Sequence, residues 1–259
     1  MISDSSDRFG ELREAVRALC TTFPPEYWRQ LDEQRAYPEA FVKALTEAGW
    51  LSALIPEEYG GSWLGITEAS VILEEVNRSG GNSGACHAQM YIMGTVLRHG
   101  SSEQKQRYLP GIASGALRLQ SFAVTEPTTG SDTTKLKTTA ARKGDLYVVN
   151  GQKVWTSRVQ HSDLMLLLAR TTPLPEVKKK SEGLSVFLID LRTLMGRGIA
   201  VRSAPPVLVS LPLRRRRACA LTSSSEILPR GPLPWTSSIT TPTSRASRRT
   251  LGDAGAAGA

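Results

Sequence analysis

Near residue 119 the apolar residues change their period, and that switch leaves the chain few architectures to choose from. Before it, apolar positions recur at spacings of three and four: Phe9, Leu12, Val16 and Leu19 mark one helical face, and Phe41, Val42, Leu45 and Ala48 another. After it, segments shorten and β-branched residues rise, as expected of strands on a pleated, half-buried surface. Helices followed by strands, without alternation, argue for two joined units and against a doubly wound sheet. The expected fold is α+β: an N-terminal helical bundle domain over 1–118, an antiparallel β-barrel-like domain over 119–205, and a tail over 206–259 without packed structure.

Local punctuation sharpens this outline. Pro24-Pro25 reads as a break after the first helix, while Pro38 opens a helix that stops at Gly49. Gly60-Gly61 reads as a loop. Thr67 is placed to cap a helix through Val71, Ile72, Leu73 and Val76, which ends before Gly80-Gly81. Residues 86–98 are largely apolar and predict a buried helix within the bundle. Ser101 and Gln104 have the spacing of a capping box ahead of Tyr108, Leu109 and Ile112. Strands are expected at 119–125, 133–141, 146–156, 164–170, 184–190 and 199–203. The turn Lys143-Gly144-Asp145 predicts a hairpin, and 172–182, with Pro173, Pro175 and Lys178 to Lys180, an exposed loop.

Beyond Ala204 neither period persists. Arg214 to Arg217 lead into Ser, Thr and Pro-rich sequence that would bury too little apolar surface to offset its ordering entropy. The net charge of +8 concentrates there: eight arginines against Glu226 and Asp253 make +6, leaving +2 on residues 1–205. A nucleic-acid partner is therefore not expected, and a nucleic-acid-binding reading rests on the tail alone. With 40% apolar residues each unit can have a core. No run reaches the eighteen apolar residues of a membrane span and the N-terminus lacks a secretory pattern, so a cytoplasmic protein is expected. Cys20, Cys86 and Cys219 lie too far apart for a C-x-x-C pair, which suggests neither disulfide nor zinc.

Several constellations read as structural. His87 and His99 have no partner ligands, so no metal site is expected. His161, Ser162 and Asp163 are sequence neighbours whose side chains diverge, which argues against a triad. The stretch Gly80-Gly81-Asn82-Ser83-Gly84 follows a helix and lacks the G-x-G-x-x-G spacing of a dinucleotide fold.

Two motifs carry chemistry. Phe122-Ala123-Val124-Thr125-Glu126-Pro127-Thr128-Thr129-Gly130-Ser131-Asp132 resembles the acyl-CoA dehydrogenase signature, a strand ending in T-E-P-x-x-G-S-D. Gly151-Gln152-Lys153-Val154-Trp155-Thr156-Ser157, followed by Asp163, is similar to that family's G-x-K-x-[WF]-I-[TS]-N-x-x-x-A-D. Ile55 to Gly61, His99 to Pro110 and Gly183 to Ile189 resemble further family segments in the same order, so the resemblance spans about 38–203. It implies FAD as cofactor, with Phe122, Val124, Thr125, Gly130, Ser131, Trp155, Thr156 and Ser157 as cofactor-binding positions. In that reading Thr125 and the backbone around it donate to the flavin's pyrimidine edge, where charge collects on reduction. Trp155 packs beside the ring and Thr156 bonds near the nitrogen that receives hydride. Ser131 lies near the flavin pyrophosphate and the thioester substrate, on a turn that Gly130 opens to close backbone approach. The implied reaction is alpha,beta-dehydrogenation of an acyl-CoA, with electrons passing to an electron-transfer flavoprotein.

The resemblance also defines what does not match. The family continues into a second helical domain that supplies the carboxylate base, most of the acyl pocket and the homo-oligomer interface. No carboxylate here matches that base, so no catalytic residue is assigned and a truncated chain with impaired catalysis is expected. Thr222-Ser223-Ser224-Ser225 suggests a cause: with TC-type serine codons, another frame would encode an Asp, Asn, His or Tyr followed by apolar residues of a family strand. A reading frame shifted between about 200 and 215 is expected on that basis, a natural basic tail being the alternative. A non-catalytic flavin- or acyl-CoA-binding fragment, an acyl-CoA oxidase and a flavin monooxygenase of the same fold remain alternatives in function.

Overall fold

The computed structural model describes residues 9–144, 146–196, 199–204, 208–213 and 219–220. Six helices occupy its first part: α1 (Gly10–Thr21), α2 (Pro25–Gln34), α3 (Glu39–Glu47), α4 (Ile66–Arg78), α5 (Gly84–His99) and α6 (Ser102–Ala113). The three-and-four spacing read from the sequence is the buried stripe, with Val16, Phe41, Leu45, Ile72, Val76 and Cys86 meeting in one core. Phe23, Tyr27, Trp28 and Phe41 form an aromatic knot beside it, with ring centroids 4.8–5.1 Å apart. The capping box is present in both directions: the Gln104 N–H donates to Ser101 Oγ (3.2 Å), and the Ser101 N–H to Gln104 Oε1 (2.9 Å).

Two punctuation readings need correction. Pro24-Pro25 does not only end a helix; Pro25 is the first residue of α2, where a missing N–H costs nothing and φ is already helical. Thr67 does not cap α4, which begins one residue earlier at Ile66 after Gly65.

A buried carboxylate joins α1 to α4. Glu75 accepts from Arg13 Nη1 (2.9 Å) and Arg17 Nη2 (3.1 Å), and its side chain is fully enclosed. Burial pushes this carboxyl up, but the hydrogen bonds from Arg13 and Arg17 and the charges of Arg17 and Arg78 outweigh it, holding the group below its ordinary 4.5. A carboxyl depressed in the folded state stabilises the fold above its unfolded value and loses that contribution as pH falls through the folded value. Urea-unfolding midpoints should therefore drop as pH is lowered below about 4.5. Glu75→Gln should flatten that part of the profile while lowering the midpoint at pH 7; an unchanged acid slope in the variant would contradict the assignment.

The second part is one sheet. Its strands are β1 (Leu119–Ala123), β2 (Thr139–Lys143), β3 (Leu146–Lys153), β4 (Leu164–Arg170), β5 (Leu184–Asp190), β6 (Arg202–Ala204), β7 (Leu208–Leu213) and β8 (Cys219–Ala220). They pair in the order β6-β7-β3-β2-β4-β5-β8, with β1 alongside β4. The β2–β3 hairpin turns where Lys143-Gly144 predicted it, pairing Lys143 with Leu146. The expected order of helices then strands holds, but the sheet is mixed, because β1 and β2 both run parallel to β4. β1 and β4 are separated by the whole hairpin, and such a crossover returns the chain in the same direction.

β4 is buried along its whole length, as its unbroken run Leu164-Met165-Leu166-Leu167-Leu168-Ala169 requires of a strand covered on both faces. Leu164 and Leu166 face Ile92, Leu109 and Ile112 of α5 and α6, whereas Met165 and Leu167 face Phe187, Val149 and Ile189 inside the sheet. A short helix, α7 (Leu191–Leu194), follows β5. The strand expected at 133–141 starts later, at Thr139, since Asp132 accepts from the Thr134 N–H and initiates a 3-10 turn over Thr133–Lys135.

β7 and β8 fall within the stretch expected to lack packed structure. β7 pairs antiparallel with β3 and β8 with β5, so the sheet continues past residue 205. Residues 221–259, including the serine run behind the shifted-frame expectation, lie outside the described residues.

Candidate functional site

The two motifs meet where β1 leaves the sheet and β3 ends. The Val154 N–H donates to the Thr125 carbonyl (2.8 Å), which draws the two segments into contact. Glu126 and Thr129 close a tight turn, each N–H bonded to the other's carbonyl (2.8 and 3.2 Å), and Gly130 lies beside Thr125, since a Cβ there would sit 3.6 Å from Thr125 Cγ2. Beneath this turn Lys153 Nζ donates to the Val124 carbonyl and to Glu126 Oε1, both at 2.9 Å. The Glu126 carboxylate also accepts from the N–H of Lys137 (2.6 Å) and of Thr138 (2.9 Å).

Each expected position can now be placed. Phe122 packs with the cluster under α5 and α6, and Val124 with Leu136, Leu168 and Leu184, so both support the site from below. Thr125 is partly exposed, and Gly130 and Ser131 are exposed on the same loop. Trp155 has φ +59°, a left-handed conformation costly for a bulky residue, and the residue is 56% exposed. Thr156 turns inward, 1% exposed, and its Oγ1 has no protein partner; Ser157 turns outward next to Trp155. Among the described residues, the backbone N–H groups of Thr125, Trp155 and Thr156 have no protein acceptor. The arrangement presents one flat aromatic face, one hydroxyl and unclaimed N–H donors, which suits a planar ring with acceptors along its edge.

Sequence reasoning missed the Glu126–Lys153 pair. Both residues stand inside quoted motifs, but nothing in the letters shows that a strand-end lysine turns inward across 27 positions. Burial pushes the Glu126 carboxyl up, yet hydrogen bonds from Thr138, Lys137 and Lys153 prevail and hold it below 4.5. Burial pushes Lys153 down, against the pull of Glu126.

The loop after Trp155 reaches the helical unit. Arg158, also left-handed at φ +55°, places its guanidinium over Gly84 at the start of α5. His161 stacks on Tyr37 (4.4 Å between centroids), whose hydroxyl donates to Gln120 Oε1. His161 and Asp163 thus engage different partners, the Asp163 carboxylate accepting from the Arg118 N–H (2.7 Å). A groove of about 1040 Å³ runs along α4 and α5, lined by Trp63, Ile66, Leu73, Met90 and Tyr91 among others. Trp63 and Ile66 are largely exposed there.

A helical bundle is followed by a curled mixed sheet, with these two motifs joined at its edge. Family models agree: residues 6–116 match the acyl-CoA dehydrogenase N-terminal domain and residues 121–214 its middle domain. The chain belongs to the acyl-CoA dehydrogenase family. Among curated relatives, cyclohex-1-ene-1-carbonyl-CoA dehydrogenase of Geobacter metallireducens is 36% identical over 165 residues, 63% of this chain and 42% of that protein. Acyl-CoA dehydrogenase FadE26 of Mycobacterium tuberculosis is 38% identical over 186 residues, 69% of this chain and 46% of its own length. An acyl-CoA dehydrogenase from Geobacillus kaustophilus superposes with a TM-score of 0.75 at 25% identity, over 84% of this chain and 58% of that one. The chain thus spans less than half the length of these curated relatives. The middle-domain match ends at 214, beyond the expected boundary at 205 and in keeping with β7.

Proposed function

We propose that this chain is the flavin-side portion of an FAD-dependent acyl-CoA dehydrogenase, acting in alpha,beta-dehydrogenation of acyl-CoA thioesters. The observation that supports it most is the Val154–Thr125 hydrogen bond, which brings the two motifs to one edge with Trp155, Ser157 and the unclaimed N–H groups beside it. FAD, when bound, would supply the acceptor for the hydride that leaves the beta carbon. Thr125 and its N–H would donate to the pyrimidine edge, Trp155 would cover one side of the ring, and the Thr156 hydroxyl, buried and without a protein partner, would bond near the nitrogen that receives hydride. Gly130 and Ser131 would meet the pyrophosphate. The α4–α5 groove, lined by Leu73, Met90 and Tyr91, is the surface proposed for the acyl group, since Arg158, three residues beyond Trp155, reaches Gly84 at the start of α5.

Proton removal at the alpha carbon needs a carboxylate free to accept. Glu75 and Glu126, the buried carboxylates of the described residues, are already bound by cations, and both are held below their ordinary value, the wrong direction for a base. With no carboxylate matching the family's base, this chain is expected to bind FAD but not to turn over. Flavin fluorescence titration should show saturable binding, and adding acyl-CoA to the loaded protein should leave the flavin absorbance unbleached. Absence of saturable binding would overturn the cofactor assignment; bleaching would overturn the loss of catalysis. In a form able to turn over, an electron-transfer flavoprotein is the proposed acceptor.

A further inference from the structure

The most enclosed charges in the sheet lie under the proposed cofactor edge, and no step of the reaction uses them. Lys153 is fully buried and the Glu126 side chain is 3% exposed. A lone buried ammonium would lose its hydration without return, so a fully enclosed pair persists only where hydrogen bonds satisfy nearly every donor and acceptor. Here they do. The ammonium holds the Val124 carbonyl and Glu126 Oε1, and the carboxylate holds the N–H groups of Lys137 and Thr138.

The geometry has a direction. Val124 and Glu126 flank Thr125, and Lys153 grips both neighbours, while Val154, next along from Lys153, bonds the Thr125 carbonyl. Thr125 is thereby held at its carbonyl and on either side, while its N–H has no protein acceptor among the described residues. On the other strand the same anchor stands two residues before Trp155, whose left-handed backbone must be held against its own preference. We infer that Lys153, with Glu126, is a positioning residue for the cofactor: it aims the Thr125 N–H and the Trp155 ring at one another's side of the site. This rests on the flavin reading above, and it adds a cause for the site's preorganisation.

Lys153→Met and Glu126→Gln test it. Arg13→Met serves as control, because it breaks a buried ion pair in the helical unit without touching the site. Amide hydrogen exchange is the readout that needs no flavin. Both site variants should speed exchange of the Val154 N–H at least tenfold, with the β4–β5 ladder unchanged, and Arg13→Met should leave Val154 protected. In fluorescence titrations the dissociation constant for FAD should rise at least tenfold for Lys153→Met and Glu126→Gln and stay within twofold for Arg13→Met. Unaltered Val154 exchange in a folded site variant overturns the inference, as does an FAD affinity within twofold of the parent. If Lys153→Met fails to fold, Glu126→Gln, which keeps the volume, decides alone. A parent protein that binds no FAD refutes the flavin reading, while the exchange data still decide whether the pair organises the two segments.

Discussion

Phe187→Ala should cost about 3–5 kcal/mol of stability, the range for removing a large aromatic from a packed interior. Phe187 is fully buried on β5, opposite Leu167 in the ladder, and its ring meets Tyr147 at 5.1 Å with an interplanar angle of 66°. The surrounding Val149, Met165 and Ile189 belong to three different strands, so none can move into the space without breaking register. A loss of this size is a large part of what a typical domain possesses, and it would show as a marked fall in the urea midpoint followed by circular dichroism. Phe187→Leu keeps most of the apolar volume and should cost much less, roughly 1–1.5 kcal/mol. Equal losses for the two substitutions would mean that volume is not what this interior depends on.

Gly151→Ala is expected to be nearly as damaging, on the order of 3 kcal/mol, although it adds one methyl group. A Cβ at this position would lie 2.3 Å from Thr138 Oγ1, 2.6 Å from Thr138 Cβ and 2.7 Å from Thr138 Cα. The hydroxyl could rotate away, but the Cα cannot, so β3 must shift against the segment leading into β2. The Thr138 N–H is also a donor to Glu126, and the displacement would pass into the ion pair beneath Thr125. Adding Thr138→Gly should restore part of the loss by removing two of the three clashing atoms. Thermal unfolding of the single and double variants measures this, and a single variant as stable as the parent would contradict the packing described. The motif glycine thus has a packing reason within the protein.

How much was legible from sequence depended on whether the relevant physics is local. The helices carrying Val16, Leu45 and Ile72, the Ser101–Gln104 cap and the strands 164–170 and 184–190 could be read because period and capping act within a few residues. α2 was missed because its opening proline looked like a terminator, although Tyr27, Trp28 and Leu31 stand at helical spacing. The parallel β1–β4 pairing was missed because strand direction is set by the path of the intervening chain. At the site, the motif letters led to the expectation that the segments of Thr125 and Trp155 share one edge, and the Val154–Thr125 hydrogen bond joins those segments, but the burial of Thr156 and the exposure of Ser157 could not be read from spacing. The pairing of Lys153 with Glu126 is non-local for the same reason.

β4 has one further consequence. Its Leu164 and Leu166 are a wall of the helical interior and its Met165, Leu167 and Ala169 a wall of the sheet interior, within a single stretch of backbone. Neither unit can come undone without uncovering the other's oil-like filling to water, so two regions of different texture share one melting event.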